Sequence, residues 1–82
     1  MDSGADVDRL VEYVVASVVE YPDDVRIEKR ENAATTVYEV TVNPDDVGKM
    51  IGRQGRIIKA LRVLVRAAAS INGADATVEV VG

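Results

Sequence analysis

The sequence predicts an α+β domain in the order α-β-β-α-α-β, with a three-stranded mixed sheet packed on one face by three helices. Three observations carry this. Apolar residues recur at helical spacing in some stretches and alternate with polar ones in others. A strand-helix-helix-strand crossover from Val42 to Ala76 favours parallel pairing of the last two strands, with a right-handed connection. One face of every alternating stretch is apolar, so the helices have a single surface to cover.

Residues 1–5 read as a flexible lead and 6–82 as one domain. From Asp6, which can cap, the positions Val7, Leu10, Val11, Val14 and Val18 follow the helical period. Tyr21-Pro22-Asp23-Asp24 ends the run, because proline cannot continue the hydrogen-bond ladder. Valine is a poor helix former, so packing must hold this segment helical, and a strand over Val14–Val19 is the rival. Val25–Glu28 and Thr36–Val42 alternate with period two. The polar stretch around Glu31–Ala34 joins them as an antiparallel hairpin, although it lacks an Asn-Gly turn.

Asn43-Pro44-Asp45-Asp46 is a helix start: asparagine caps, proline suits the first position, and two acids suit the positive end of the dipole. This helix is short, because Gly52 arrives within two turns. A longer helix runs from about Gly55 to Ile71 and stops at Asn72-Gly73. Its expected core face is Ile57, Ile58, Leu61, Leu64, Val65, Ala68 and Ile71, with Arg56, Lys59, Arg62 and Arg66 on another. Ala76–Val80 alternates as a closing strand. The expected helix-facing sheet residues are Val25, Ile27, Tyr38, Val40, Val42, Val78 and Val80.

Composition excludes several kinds of chemistry. There is no cysteine and no histidine, which removes disulfides, thiolate or imidazole metal sites, and Ser-His or Cys-His nucleophiles. No Gly-Lys-Thr/Ser phosphate loop is present, and Glu28 and Glu39 read as strand surface charges rather than a catalytic pair. An enzyme, a cofactor, a metal and a small-molecule substrate are therefore not expected. The acidic start lacks the pattern of a secretory signal, and no apolar run approaches the roughly 20 residues that cross a bilayer. A soluble cytoplasmic protein is the expectation.

Charge is distributed unevenly. The net charge is −4, yet Gly48–Arg66 holds six basic residues and no acid, leaving +6 inside this segment and −10 outside it. Within the segment, "IGRQG" joins the two helices. A Gly-x-x-Gly pair alone has little specificity, but this context has a physical use. Bare main chain at Gly52 and Gly55 lets a sugar-phosphate strand come close. The turn amides and the start of the following helix then offer donors to phosphate oxygens. Arg53 and Lys49 add charge, and Arg56 and Lys59 lengthen the positive track.

"VGKMIGRQGRIIKALR" resembles the core of a KH domain, whose hallmark is an Ile-Gly-x-x-Gly loop between two helices. The element order resembles the type II form of that fold. "NPDDVGKMIGRQGR" followed by "LRVLVRAAA" resembles the small bacterial KhpA-type RNA-binding proteins, over essentially residues 7–81. The resemblance implies that Gly52, Arg53, Gln54 and Gly55 clamp single-stranded RNA, with Ile51, Ile58 and Val40 forming an apolar groove for bases. It also implies a homodimer or pairing with a larger Jag-type KH protein, post-transcriptional regulation or RNA chaperoning, and a link to cell shape. Val63, Ala67 and Ala69 are the residues expected to supply a dimer contact. Ile57-Ile58 departs from the small or polar residues that many members carry after the loop. Two other readings remain open on the residues alone: a helix-turn-helix-like DNA-binding module, and a protein-interaction module without nucleic acid.

With no Phe or Trp and three tyrosines, aromatic stacking cannot dominate affinity. One domain covers about four nucleotides, so binding by a single copy should be weak and sensitive to salt.

Overall fold

The computed structural model describes residues 3–81. The first helix, α1 (Ser3–Val18), buries Val7, Val11 and Val15 at successive four-residue steps, with Leu10, Val14 and Val18 flanking them. The valines are helical, and the rival strand over Val14–Val19 does not form. Packing outweighs the small propensity penalty of β-branching. The helix begins at Ser3, so Asp6 lies in its first turn instead of at the cap. Of the lead expected over residues 1–5, Met1 and Asp2 lie outside the described residues, and residues 3–5 belong to α1.

A 3-10 turn at Pro22–Asp24 leads into β1 (Arg26–Asn32), which pairs antiparallel with β2 (Thr35–Thr41). β1 is longer than its apolar pattern indicated. The ladder continues through Lys29, Arg30 and Glu31 because backbone pairing needs no particular side chain. Asn32 pairs with Thr35, so Ala33 and Ala34 form a two-residue turn in which Ala33 takes a φ of +33°. After Asn43, whose Oδ1 accepts from the Asp45 amide at 2.8 Å, a 3-10 turn at Pro44–Asp46 opens α2 (Val47–Ile51). A further turn leads to α3 (Arg56–Ser70) and then β3 (Asp75–Val81). At the end of α3 the Ala74 amide donates to Ala69 O and the Gly73 amide to Ser70 O, with Gly73 at φ +72°. This is the left-handed stop signalled by Asn72-Gly73.

The sheet order is β1-β2-β3, with β2 and β3 parallel. Tyr38, Val40, Val42, Ala76 and Val78 are buried beneath the helices, and Val25, Ile27 and Val80 are partly covered. On the opposite face Glu28, Glu39 and Glu79 stand in one row across the three strands. Arg30 Nη2 lies 3.4 Å from Glu39 Oε2 and 4.0 Å from Glu28 Oε2. These carboxylates are neighbouring surface charges.

The core face of α3 differs from its sequence expectation. Ile58, Leu61, Val65 and Ala69 are buried and Ala68 packs against them, whereas Leu64 is 50% and Ile71 82% exposed, and Ile57 also lies outside the core. The sheet and α1 cover only one stripe of the helix. Apolar residues beyond it stay in solvent.

Tyr38 fixes α1 to the sheet. Its hydroxyl donates to Asp8 Oδ1 at 2.6 Å, while Lys29 Nζ lies 3.4 Å from the same oxygen and 5.9 Å from the ring centroid. Burial first, then the hydrogen bond and negative charge of Asp8, push the phenol well above its usual 10.0. The unfolded chain therefore ionises first. The stability Tyr38 contributes is complete below about pH 10 and lost as pH rises beyond it. Tyr38→Phe should cost about 1 kcal/mol at neutral pH, seen as a Tm drop of roughly 4–8 °C. Its stability, measured by denaturant titration, should also fall less steeply than that of the parent above about pH 10.

Candidate nucleic-acid interface

The turn between α2 and α3 is built from unusual backbone. Gly52 has φ +76° and ψ 174°, Gln54 φ +56° and ψ 26°, and Gly55 φ +72° and ψ 19°. Gly52 occupies a region that residues with a Cβ avoid. A Cβ there would also lie 2.7 Å from Ile57 Cγ1. Glycine at 52 is thus required by the protein's own packing, whatever approaches from outside. At Gly55 a Cβ would meet only ordinary contacts, at 3.7 Å and beyond, so only the left-handed φ favours glycine there.

The expectation that the turn's amides face a ligand needs narrowing. Gly52 N donates to Gly48 O at 2.9 Å, Gly55 N to Gly52 O at 3.1 Å, and Arg56 N to Arg53 O, so these three close the turn internally. Arg53 and Gln54 form the exposed tip, flanked by half-buried Gly52 and Gly55. Arg56 Nη2 donates to Gln54 Oε1 at 3.1 Å, bracing the tip from the first turn of α3.

α2 is held in place by Asp46, which is completely buried. Its Oδ1 accepts from the Glu20 amide and its Oδ2 from the Tyr21 amide, both at 3.0 Å, pinning the exit of α1. The sequence had indicated only a favourable acid near a helix start. Its true partners lie 26 and 25 positions away, and no local pattern reports them. Glu20 was missed for the same reason. Its Oε2 accepts from Lys49 Nζ at 2.8 Å, and that hydrogen bond raises the lysine's pKa above 10.5.

The remaining cations differ in their engagement. Arg62 Nε donates to Val78 O at 2.9 Å, capping a carbonyl of β3, which has a strand neighbour on one side only. Arg53, Arg56, Lys59 and Arg66 are exposed and, among the described residues, take part in no ion pair. At 100° per residue α3 therefore carries three faces. Ile58, Leu61, Val65 and Ala69 point into the core, Arg56, Lys59, Arg62 and Arg66 form a basic flank, and Ile57, Ala60, Leu64, Ala67 and Ile71 form an exposed apolar one.

Of the three residues expected to form a groove for bases, Ile51 is exposed. Val40, at 0% exposure, has no surface to offer, and Ile58, at 7%, is a core residue with little. Val40 sits on the central strand beneath the helices, and Ile58 faces inward from the first turn of α3. Among the described residues no cluster of acids suits a metal ion, and no helix is long and apolar enough to cross a membrane.

A mixed three-stranded sheet under three helices, with a Gly-x-x-Gly turn joining the second helix to the third, is the type II KH fold. A family model described as KhpA/KhpB, KH domain, matches residues 8–80. The RNA-binding protein KhpA of Oceanobacillus iheyensis is 53% identical over 58 residues, covering 71% of this chain and 77% of that protein. The KhpA protein of Halalkalibacterium halodurans is 48% identical over 61 residues, covering 74% and 80%. That of Clostridium perfringens is 40% identical over 72 residues, covering 88% and 96%. The chain belongs to the KhpA/KhpB family of KH domains, which is not a family of enzymes.

The two glycines should respond differently to a methyl group. Gly52→Ala should cost about 2–4 kcal/mol, from forbidden backbone and collision with Ile57. Gly55→Ala should cost about 1–2 kcal/mol, from the left-handed φ alone. Chemical denaturation of both variants checks the ranking, and adding Ile57→Ala should restore part of the loss only at position 52.

Proposed function

We propose that the chain binds single-stranded RNA through its sugar-phosphate backbone at Gly52-Arg53-Gln54-Gly55, without catalysis. The observation that carries this reading is the exposed tip with Arg53, which forms no ion pair among the described residues, continued along α3 by Arg56 and Lys59. KH-fold loops of this kind clamp RNA backbone, and the relatives above are named as RNA-binding proteins. In this reading residues 6–82, together with the start of α1 before them, act as one KH module in the cytoplasm, as a post-transcriptional regulator or RNA chaperone with a link to cell shape.

One copy offers a small footprint. If it neutralises two to four phosphates, the slope of log affinity against log salt is about −1.5 to −3, at roughly −0.7 per phosphate on single strands. Arg53→Asp with Gln54→Asp places two carboxylates on the exposed tip. This folded double variant should lose at least about tenfold in affinity for a mixed-sequence single-stranded RNA by fluorescence anisotropy. Unchanged binding would falsify the clamp, and tighter binding to duplex DNA than to RNA would favour the helix-turn-helix reading.

A second chain would multiply weak binding through effective concentration. The exposed apolar face of α3, with Leu64 at its middle, supports a homodimer or a complex with a larger Jag-type KH protein. Ala67 lies on this face and Val63 is exposed beside the basic flank, whereas Ala69 is a core residue and is not available. Sedimentation should show a dimer at high micromolar concentration and a folded monomer for Leu64→Lys, since a buried unpaired ammonium disfavours the contact.

A further inference from the structure

The segment Gly48–Arg66 contains no acid, yet the fold brings two to Lys49: exposed Glu20 and buried Asp46. Lys49 Nζ lies 2.8 Å from Glu20 Oε2 and 3.8 Å from Asp46 Oδ1. Among the described residues, no other cation of this segment forms an ion pair. The main chain that carries Glu20 is anchored. The Glu20 amide donates to Asp46 Oδ1 at 3.0 Å, so a buried carboxylate fixes the backbone from which the Glu20 side chain reaches Lys49. The pair itself is accessible, with the Lys49 side chain 47% and the Glu20 side chain 64% exposed. Lys49 sits on the last turn of α2, one turn before the loop, where Gly52 N bonds back to Gly48 O.

We propose that Glu20 is an intramolecular competitor for RNA phosphate at Lys49. The proposal rests on the RNA reading above. In the free protein the carboxylate occupies the ammonium, and a phosphate reaching the α2 side of the loop must displace it. Binding of RNA at the tip can proceed with the pair intact, so Lys49 contributes little to affinity and releases no counterion. Exposed ion pairs shift equilibria only a few-fold. Glu20 is therefore a tuning residue, holding affinity below what the local sequence charge would permit.

The test is RNA binding by Glu20→Gln, which keeps the backbone amide and the length of the side chain. Glu79→Gln serves as control, since it makes the same change in net charge on the sheet face away from the helices. Anisotropy with a mixed-sequence single-stranded RNA, titrated across salt concentrations, gives affinity and slope together. E20Q should bind about two- to fivefold tighter at low salt, with a slope steeper by about 0.7. Glu79→Gln should change neither to that degree, and E20Q with Lys49→Gln should return the slope to its parental value. Equal effects of Glu20→Gln and Glu79→Gln, or an unchanged slope in the former, overturn the competition while leaving the loop reading intact. Absence of RNA binding by the parent protein overturns both.

Discussion

Parallel pairing of β2 with β3 is the constraint from which the rest of the fold follows. Strands that run the same way cannot be joined by a hairpin, so the chain must return across a sheet face. Here α2, the glycine turn and α3 make that return. Both helices gain their stability by covering the sheet and α1, through Met50 on α2 and Ile58, Leu61 and Val65 on α3. The turn between them contributes no buried residue. Its shape is set by the two helices, and its surface is left to the solvent.

Within that crossover, contact between Gly52 and Ile57 decides how closely α3 follows α2. The missing side chain at 52 lets the Ile57 side chain lie where a Cβ would be, while the positive φ reverses the chain between the helices. Polar contacts fix the framework around it. α1 is tied near its start by Asp8 to Tyr38 of the sheet, and just past its end by the Glu20 and Tyr21 amides to Asp46. A carboxylate buried as fully as Asp46 is tolerable only because both oxygens accept hydrogen bonds and an ammonium lies nearby.

The same arrangement reconciles a basic loop with an acidic chain. At physiological salt, exposed charges more than about 8 Å apart are largely screened. A phosphate at the tip responds chiefly to Arg53 and Arg56, and much less to acids on the far face of the sheet. Glu20 is the exception, because Asp46 holds it beside the basic segment. Arg62 is a second modification of the simple picture: its guanidinium serves the open edge of β3 as well as the positive flank.

The sequence by itself determined the order of elements, the parallel pairing, the Asn43 cap, the stop at Gly73 and the glycine turn with its cations. These are written in short-range features: periodicity, capping chemistry and backbone permissiveness. It determined far less about what each apolar or charged residue meets. Ile57, Leu64 and Ile71 share an apolar pattern with Ile58 and Leu61 but lie outside the stripe the sheet covers, and Val40 and Ile58 proved to be core instead of groove. Only the tertiary structure decided that Gly52 makes room for Ile57, that Asp46 holds the exit of α1, and that Glu20 meets Lys49. Burial and ion pairing depend on what stands opposite a residue, and partners more than twenty positions away leave no trace in the local period of the chain.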